Sequence, residues 1–475
     1  MNGGGSRRYS GVQAPGRVGL PPILQRPDLP VRARLTVGSS VMLWVVRPSW
    51  LWRREVCAVG VLVGLAVYGW LVVGWVGAVV SPVPLVVATA ALPWSRRWAV
   101  HTLRRARLRR EWDRACRFAG LSTVNDRIPR IREERWVPAG DRLLVRVPRG
   151  ATVDELGEQA ERVAAVLRVR EVRVARDAQR ADIAHVDIVR RDPFGGAGIP
   201  EMAGRIPWPW VLYGQASLWD PIPVAVDDMG DPVTMRLPGR NVVVAGEPEA
   251  GKSAALSLVL AAAALDPYVK VCGLDAKRLE LALWKPVMDR VVGPDMDEAI
   301  DLMEDLIRIM DDRYELLEAA GRRSWGPSDG PLYLIPIDEL RFYTANPNRS
   351  ARVKFNELAI DLTARGRAAG MIKAAATQKP SSDVVPTSYR DLFAYRWAMR
   401  CTTRDASDTI LGAGWATQGF SAAEIDVNTR GVGLLLAEAG FPRLCKSYYL
   451  EDHDIRAIAA RGAALRRLVA GETSI

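Results

Sequence analysis

The chain has 475 residues, 65 Lys and Arg against 54 Asp and Glu, and 49% apolar residues. At about 150 residues per domain this exceeds one ordinary domain, and the apolar fraction excludes a wholly disordered chain. The net charge of +11 is confined: residues 1–137 hold 22 Arg, no Lys and 7 acids, whereas 138–475 hold 43 basic and 47 acidic side chains, a net of −4. That excludes a nucleic-acid surface spread over the C-terminal part, so any contact there must be local. Cys57, Cys116, Cys272, Cys401 and Cys445 form no CxxC, and the three histidines leave no zinc-ligand cluster; the thiols read as reduced, in a cytosolic compartment.

Residues 1–40, rich in Gly, Pro and Arg, are expected to be a disordered basic tail, with no cleavable signal peptide. Residues 41–100 read as a membrane anchor. Val56 to Ser95 is a run of 40 residues without a charge. It fits two spans of about 20 residues each, joined by a tight turn near Gly74, Trp75 and Gly77. The competing break, Ser81-Pro82-Val83-Pro84, leaves too little apolar sequence for a second span. Arg53 and Arg54 precede the run and Arg96, Arg97, Arg104 and Arg105 follow it, so both ends belong in the cytoplasm of a multi-pass cell-membrane protein. Trp50, Trp52, Trp94 and Trp98 stand where interfacial aromatics are expected. The competing reading is a buried hairpin of a soluble core, which rarely runs this long without charge. Residues 101–137 are expected to form a basic helical neck that anchors at the membrane surface more readily than it touches DNA.

Residues 138–195 predict a small α+β linking domain. Asp141 to Val147 alternates like a strand, Thr152 and Glu155 form a capping box for a helix to about Leu167, and Val172–Val174 and Ile183–Ile188 are further strands. A Gly/Pro-rich connector, 196–220, follows.

Asn241-Val-Val-Val-Ala245 is an apolar strand that feeds Gly246-Glu247-Pro248-Glu249-Ala250-Gly251-Lys252-Ser253 and then an Ala/Leu-rich helix. This is a phosphate-binding P-loop in strand–loop–helix context. Its backbone N–H groups point at phosphate oxygens. Lys252 is placed to reach the β/γ-phosphates of ATP, and the Ser253 hydroxyl to ligate Mg²⁺. Glu249 stands where many P-loops have Gly, so its side chain must point away and its φ be positive. Downstream, Leu332 to Asp338-Glu339 is a strand ending in two acids. Asp338 is expected to hold Mg²⁺ through water, and Glu339 to polarise the attacking water. Pro336 predicts a local irregularity in that strand. Ile372 to Thr377-Gln378 predicts a strand beside the P-loop strand, with Gln378 as γ-phosphate sensor. Arg365 and Arg367 read either as a solvated helix end or, for an arginine finger, as reaching a neighbouring subunit's nucleotide.

These pieces resemble the FtsK/SpoIIIE family of membrane-anchored DNA-pumping ATPases. The likeness runs through the P-loop, Leu274-Asp275-Ala-Lys277-Arg-Leu-Glu280, Arg313-Tyr-Glu-Leu-Leu, Ile337-Asp338-Glu339-Leu, Arg367-Ala-Ala-Gly370, Ala376-Thr377-Gln378-Lys-Pro380 and Arg396 to Gly412, over about 221–450. Within the family the layout is most similar to the Tra-type transfer proteins of actinomycete plasmids and integrative elements. The resemblance implies an α/β, RecA-like motor (221–450) with a C-terminal helix (451–475), working as a homo-hexamer on double-stranded DNA with ATP at subunit interfaces. It implies Arg367 as the arginine finger and Arg404 as a basic residue contacting the neighbour's nucleotide, where relatives carry Lys. Chromosome segregation at division and type VII-like protein secretion are the alternative functions. No segment after 450 has room for a sequence-reading domain, so any sequence specificity is expected from a separate DNA-binding protein.

Overall fold

The computed structural model of the chain describes residues 53–84, 93–123, 126–191, 194, 204–378, 381, 386–438 and 440–472. The expected basic tail and the first part of the connector lie outside them. The chain forms two compact units, 1–113 and 114–475.

In the first unit, α1 (Arg53–Val73) and α2 (Trp75–Val80) are separated by Gly74, whose φ of 77° breaks the helix where a turn was expected. The two fold back closely: a Cβ on Gly69 would lie 2.1 Å from the Gly77 carbonyl oxygen, and Ser81 Oγ donates to Leu65 O at 2.6 Å. The chain also breaks after Val80, at the Ser81-Pro82 site set aside from the sequence, because Pro82 cannot donate into the helix ladder. The rest of the expected second span includes 85–92, outside the described residues. Side chains of α1 are described only from Val59 onward. Among the described residues no helix is long and apolar enough to cross a membrane. Helix α3 (Pro93–Phe118) follows.

The expected neck is corrected at its far end. Residues Arg130–Val137 are strand β1, paired antiparallel with β2 (Gly140–Arg146) through a tight turn at Pro138-Ala139. Its charged side chains disguise it: as an edge strand it leaves mostly exposed positions, and only Val137 is buried. Thr152 and Glu155 make the capping box, at 3.1 and 3.4 Å, for α4 (Val153–Glu158); α5 (Ala160–Leu167) continues it. With β3 (Glu171–Arg176) and β4 (Ile183–Val189) the four strands form an antiparallel sheet, order β1-β2-β4-β3. Leu143, Val145, Val186 and Ile188 of the sheet and Val163 of α5 are fully buried. This sheet sits directly on the turn between β5 (Ile222–Asp227) and β6 (Pro232–Met235): Arg142 pairs with Asp187 at 2.8 Å and with Asp231 at 2.5 Å.

The large sheet explains the rest of the chain. Its further elements are β7 (Val242–Ala245), α6 (Lys252–Ala264), β8 (Val269–Asp275), β9 (Arg290–Val292), α7 (Met296–Ala319), β10 (Leu332–Asp338), α8 (Leu340–Thr344), α9 (Arg349–Arg365), β11 (Met371–Thr377), α10 (Thr387–Arg390), β12 (Tyr395–Met399), α11 (Arg404–Leu411), β13 (Val432–Leu436), β14 (Arg443–Ser447) and α12 (Asp452–Glu472). The strand order is β6-β5-β14-β13-β12-β7-β11-β10-β8-β9. Pairings from β12 to β9 are parallel, and those from β12 to β6 antiparallel. The apolar runs of β7 and β11 are buried along their length because helices cover both faces. Val242 and Val244 face the layer of α6, while Val243 faces the layer of α7 and α9. The result is the α/β sandwich expected, with the P-loop strand between β12 and β11.

Pro336 produces the expected irregularity. The ladder from β10 to β8 runs from Leu332 to Leu334 and resumes at Ile337, skipping the two residues between. Opposite the skip, Gly273 packs tightly: a Cβ there would lie 2.6 Å from Leu281 Cδ1, 2.8 Å from Met288 Cε and 3.0 Å from Pro336 Cγ. At the other end of the motor, α12 crosses α6 so closely that a Cβ on Gly462 would lie 2.2 Å from Ala264 O. Arg466 of α12 donates to Ala264 O at 2.8 Å, Ala263 O at 3.0 Å and Val269 O at 3.2 Å, closing the C-terminal end of α6.

Candidate nucleotide site

The loop from Gly246 to Gly251 is fixed on both sides. On one side, Glu247 N–H donates to Arg400 O at 2.9 Å, its carboxylate pairs with Arg400 Nη1 at 3.0 Å, and it accepts the Thr402 hydroxyl. On the other, Gly431 N–H donates to Ala250 O at 3.0 Å. Gly251, at φ 115°, has room for no side chain, because a Cβ there would lie 2.7 Å from Gly431 Cα. Glu249 adopts φ 62° and pairs its carboxylate with Arg430, at 2.8 Å, both residues lying on the cavity's rim. The acid in the loop is thereby neutralised outside it.

The loop opens onto a cavity of about 540 Å³, lined by Lys252 and Ser253, by Asp338 and Glu339, and by Thr377 and Gln378. Sheet order brings them together: β11 lies between β7 and β10, so the carboxyl ends of all three strands meet. Lys252 is buried, and its ammonium donates to Glu247 O at 2.5 Å. Burial brings it down to about 8, against the pull of Glu339. Asp338 is only 4% exposed. Burial pushes its carboxyl up to about 6, against the attraction of Lys277, whose Nζ lies 3.5 Å from Oδ2. That oxygen has no hydrogen-bond partner, so the pair is a loose ionic contact. Glu339, at φ 58°, swings its carboxylate back to the end of β11. It accepts Thr377 Oγ1 at 3.0 Å and the Gln378 N–H at 3.3 Å.

Arg367 and Arg404 are not among the cavity's lining residues. Arg367 donates to Gly239 O at 2.7 Å and lies 3.5 Å from Glu438; Arg404 pairs with Glu424 at 2.8 Å. Arg404 is largely solvent-facing, whereas Arg367 is more than half covered. Lys277 and Thr377 were quoted in the sequence motifs without a role. The signal for Lys277 was its place just beyond β8, whose Asp275 stands in register with Asp338. The opposite wall, with Arg205, Lys446 and Tyr449, had no sequence signal. Arg205 lies 4.3 Å above the Tyr449 ring, and Lys446 enters through β14 on the antiparallel side of the sheet.

A P-loop between two parallel strands, with an acid pair one strand further on, defines a P-loop NTPase domain. Residues 216–333 match the FtsK/SpoIIIE family model. It is 28% identical over 206 residues to the DNA translocase FtsK of Chlorobaculum tepidum, covering 39% of this chain and 25% of that protein. It is 25% identical over 212 residues to the DNA translocase FtsK of Staphylococcus epidermidis, covering 40% and 26%. The chain thus spans about a quarter of these relatives' length. Among solved structures it is similar to the pCW3 conjugation coupling protein TcpA, at 16% identity and a TM-score of 0.49, over 75% of this chain and 99% of that one. It is also similar to the type VII secretion ATPase EccC of Thermomonospora curvata, at 18% identity and a TM-score of 0.42, over 52% and 31%. Likenesses at this level have no bearing on function.

Proposed function

We infer that the chain is an ATP-hydrolysing motor that moves double-stranded DNA. The observation that carries this is the convergence of Lys252, Asp338 and Glu339 on one cavity, in a domain whose family model and curated relatives are those of DNA translocases. The cavity volume lies within the roughly 300–1,000 Å³ of small-molecule sites. Lys252, released from the Glu247 carbonyl, reaches the β/γ-phosphates of ATP. Asp338 Oδ2, which accepts no hydrogen bond and has only the loose contact with Lys277, and the Ser253 hydroxyl would hold Mg²⁺, which when bound supplies charge neutralisation at the phosphates. Glu339 accepts the proton of the attacking water, its carboxylate oriented by Thr377, with the Gln378 side chain at the γ-phosphate. Arg367 and Arg404 act on the nucleotide of the next subunit in a homo-hexameric ring.

The finer reading is conjugative transfer of a plasmid or integrative element, by a motor anchored to the cytoplasmic membrane with both termini inside. It rests on the uncharged run 56–95, its arginine flanks and the Tra-type likeness. The test is ATPase activity of the full chain in detergent, with and without duplex DNA. Stimulation by duplex is expected. Turnover that duplex DNA leaves unchanged would move the assignment to protein secretion. Mating assays with Glu339→Gln donors separate transfer from chromosome segregation: transfer should be lost while division proceeds normally.

A further inference from the structure

Arg313 is a buried cation, 5% exposed, with no carboxylate partner among the described residues. It belongs to α7, far in sequence from both P-loop and acids. Its guanidinium lies between two rings, 4.1 Å from the centroid of Trp325 and 4.8 Å from that of Tyr333. Burial brings it down to about 10, so it stays charged at neutral pH. A buried charge without a counter-ion is costly, and a leucine would fill the space with no such cost. What the charge holds is therefore informative.

It holds backbone. Nη1 donates to Ala369 O at 2.7 Å and Nη2 to Pro331 O at 2.6 Å. The neighbouring carbonyls of the same turn are also taken: Ala368 O by Trp325 N–H at 2.8 Å, Gly370 O by Tyr333 N–H at 3.0 Å and Arg365 O by Tyr314 OH at 2.5 Å. Gly370, at φ 72°, is pressed against the stack, since a Cβ there would lie 2.8 Å from Trp325 Cδ1. Arg367 lies within this held turn, between the held carbonyls of Arg365 and Ala368. Tyr333, which closes the stack, is the second residue of the strand that ends at Asp338.

We propose that Arg313 is a positioning residue for Arg367: with Trp325 and Tyr333 it locks the 366–370 turn, so that Arg367 is presented at a fixed place to the nucleotide of a neighbouring subunit. The proposal rests on the interface role given to Arg367 above. Arg313 itself touches no nucleotide. Through Tyr333 the same stack ties the turn to the strand bearing the acid pair, so one rigid path joins a subunit's own cavity to the arginine it offers its neighbour.

A packing role and a positioning role differ in what they move. Loss of packing weakens the fold and nucleotide binding; loss of position lowers turnover at unchanged KM. The test is ATPase kinetics of the full chain in detergent, for Arg313→Met, Arg367→Ala and the double variant. Arg313→Met should lower kcat about a hundredfold at parental KM, the loss that a misplacement near 1 Å brings. The double variant should lose no more than Arg367→Ala alone. Arg313→Lys, which keeps the charge and one donor, should recover part of the rate. Parental kcat in Arg313→Met, a raised KM at unchanged kcat, or additive losses in the double variant each overturn the proposal. Should Arg313→Met fail to fold, the same cycle is run with Gly370→Ala, which pushes the turn off Trp325 from the other side. Mixing with Lys252→Ala subunits tests the interface role separately. Non-additive losses without recovery on mixing keep the positioning role and sink only the neighbour's. Recovery for Arg367→Ala but not for Arg313→Met sinks the positioning role.

Discussion

The Glu339 carboxylate is held 3.0 Å from Thr377 Oγ1, an acid at the end of one strand oriented by a hydroxyl at the end of the next. Hydrogen bonds to charged groups contribute about 1.5–3 kcal/mol, or roughly ten- to hundredfold in rate when the charge acts in the reaction. Thr377→Val should lower kcat by that factor and leave KM for ATP in place. Glu339→Gln should bind ATP at parental affinity and lose hydrolysis. Turnover at the parental rate in Glu339→Gln would refute its assignment as base.

Lys252→Ala should abolish ATP binding and turnover together, because no other ammonium replaces it at the β/γ-phosphates. Lys277 lines the same cavity, but its ammonium lies beside Asp338, 3.5 Å away, and not on the loop's Glu247 carbonyl. Fluorescent ATP-analogue binding reads the outcome. Retained binding in this variant would show that the phosphates sit elsewhere in the cavity.

Arg367→Ala subunits mixed with Lys252→Ala subunits should regain part of the ATPase activity that each lacks alone. Some interfaces in such rings pair an intact loop with an intact arginine. Verified mixed rings without recovery at any ratio would place Arg367 outside the neighbour's site.

Stability should carry the signature of Lys373. This lysine is fully buried on β11, donating to Ala359 O and Thr363 Oγ1 at 2.6 Å each and to Tyr389 OH at 3.3 Å. Burial brings it from 10.5 down to about 7. It therefore binds fewer protons folded than unfolded between those values, and its contribution to stability rises with pH through that window and is lost as pH falls through it. The slope is at most about 1.4 kcal/mol per pH unit. Denaturant midpoints of the parent should rise relative to Lys373→Met between pH 7 and 10. Parallel curves would show that the three oxygens hold the lysine at its ordinary value.

DNA binding should be weak, steeply salt-dependent and almost blind to sequence, since residues 138–475 carry a net charge of −4 and contacts must be few and to phosphates. The basic residues that follow the acid-ended strand, Arg349, Arg352 and Lys354 at the start of α9, are the local candidates, and Lys354 is paired with Glu304 at 2.7 Å. Competition between random and element-derived duplexes at fixed salt measures this. A preference approaching a thousandfold, the low end for specific binders, would overturn it.

The candidate site was legible because its parts are short, local and chemically distinctive. A loop bracketed by Gly246 and Gly251 and followed by Lys-Ser, and a strand ending in Asp-Glu, identify themselves, and the parallel core then converges them. Even the departures were readable, as with Glu249 and Pro336. What escaped notice came from edges and from distance. Strand β1 hides behind Arg130, Arg132, Glu133 and Glu134 because an edge strand need not alternate with buried residues. The Tyr449 wall is brought to the cavity by antiparallel strands added to the sheet, which no local pattern announces. Arg313 carried a family motif but no visible task, since its partners are backbone carbonyls without a signature.

The clamp of Arg466 on α6 turns that helix into a rod gripped at both ends. One end is the P-loop; the other, about 20 Å away for 13 residues, is the C-terminal helix. Any axial or tilting displacement of the P-loop helix must be carried outward into α12, whose outer face is solvent-exposed. A label attached to that face, at Arg467 or Leu468, would therefore register any displacement of the P-loop helix without touching the cavity itself.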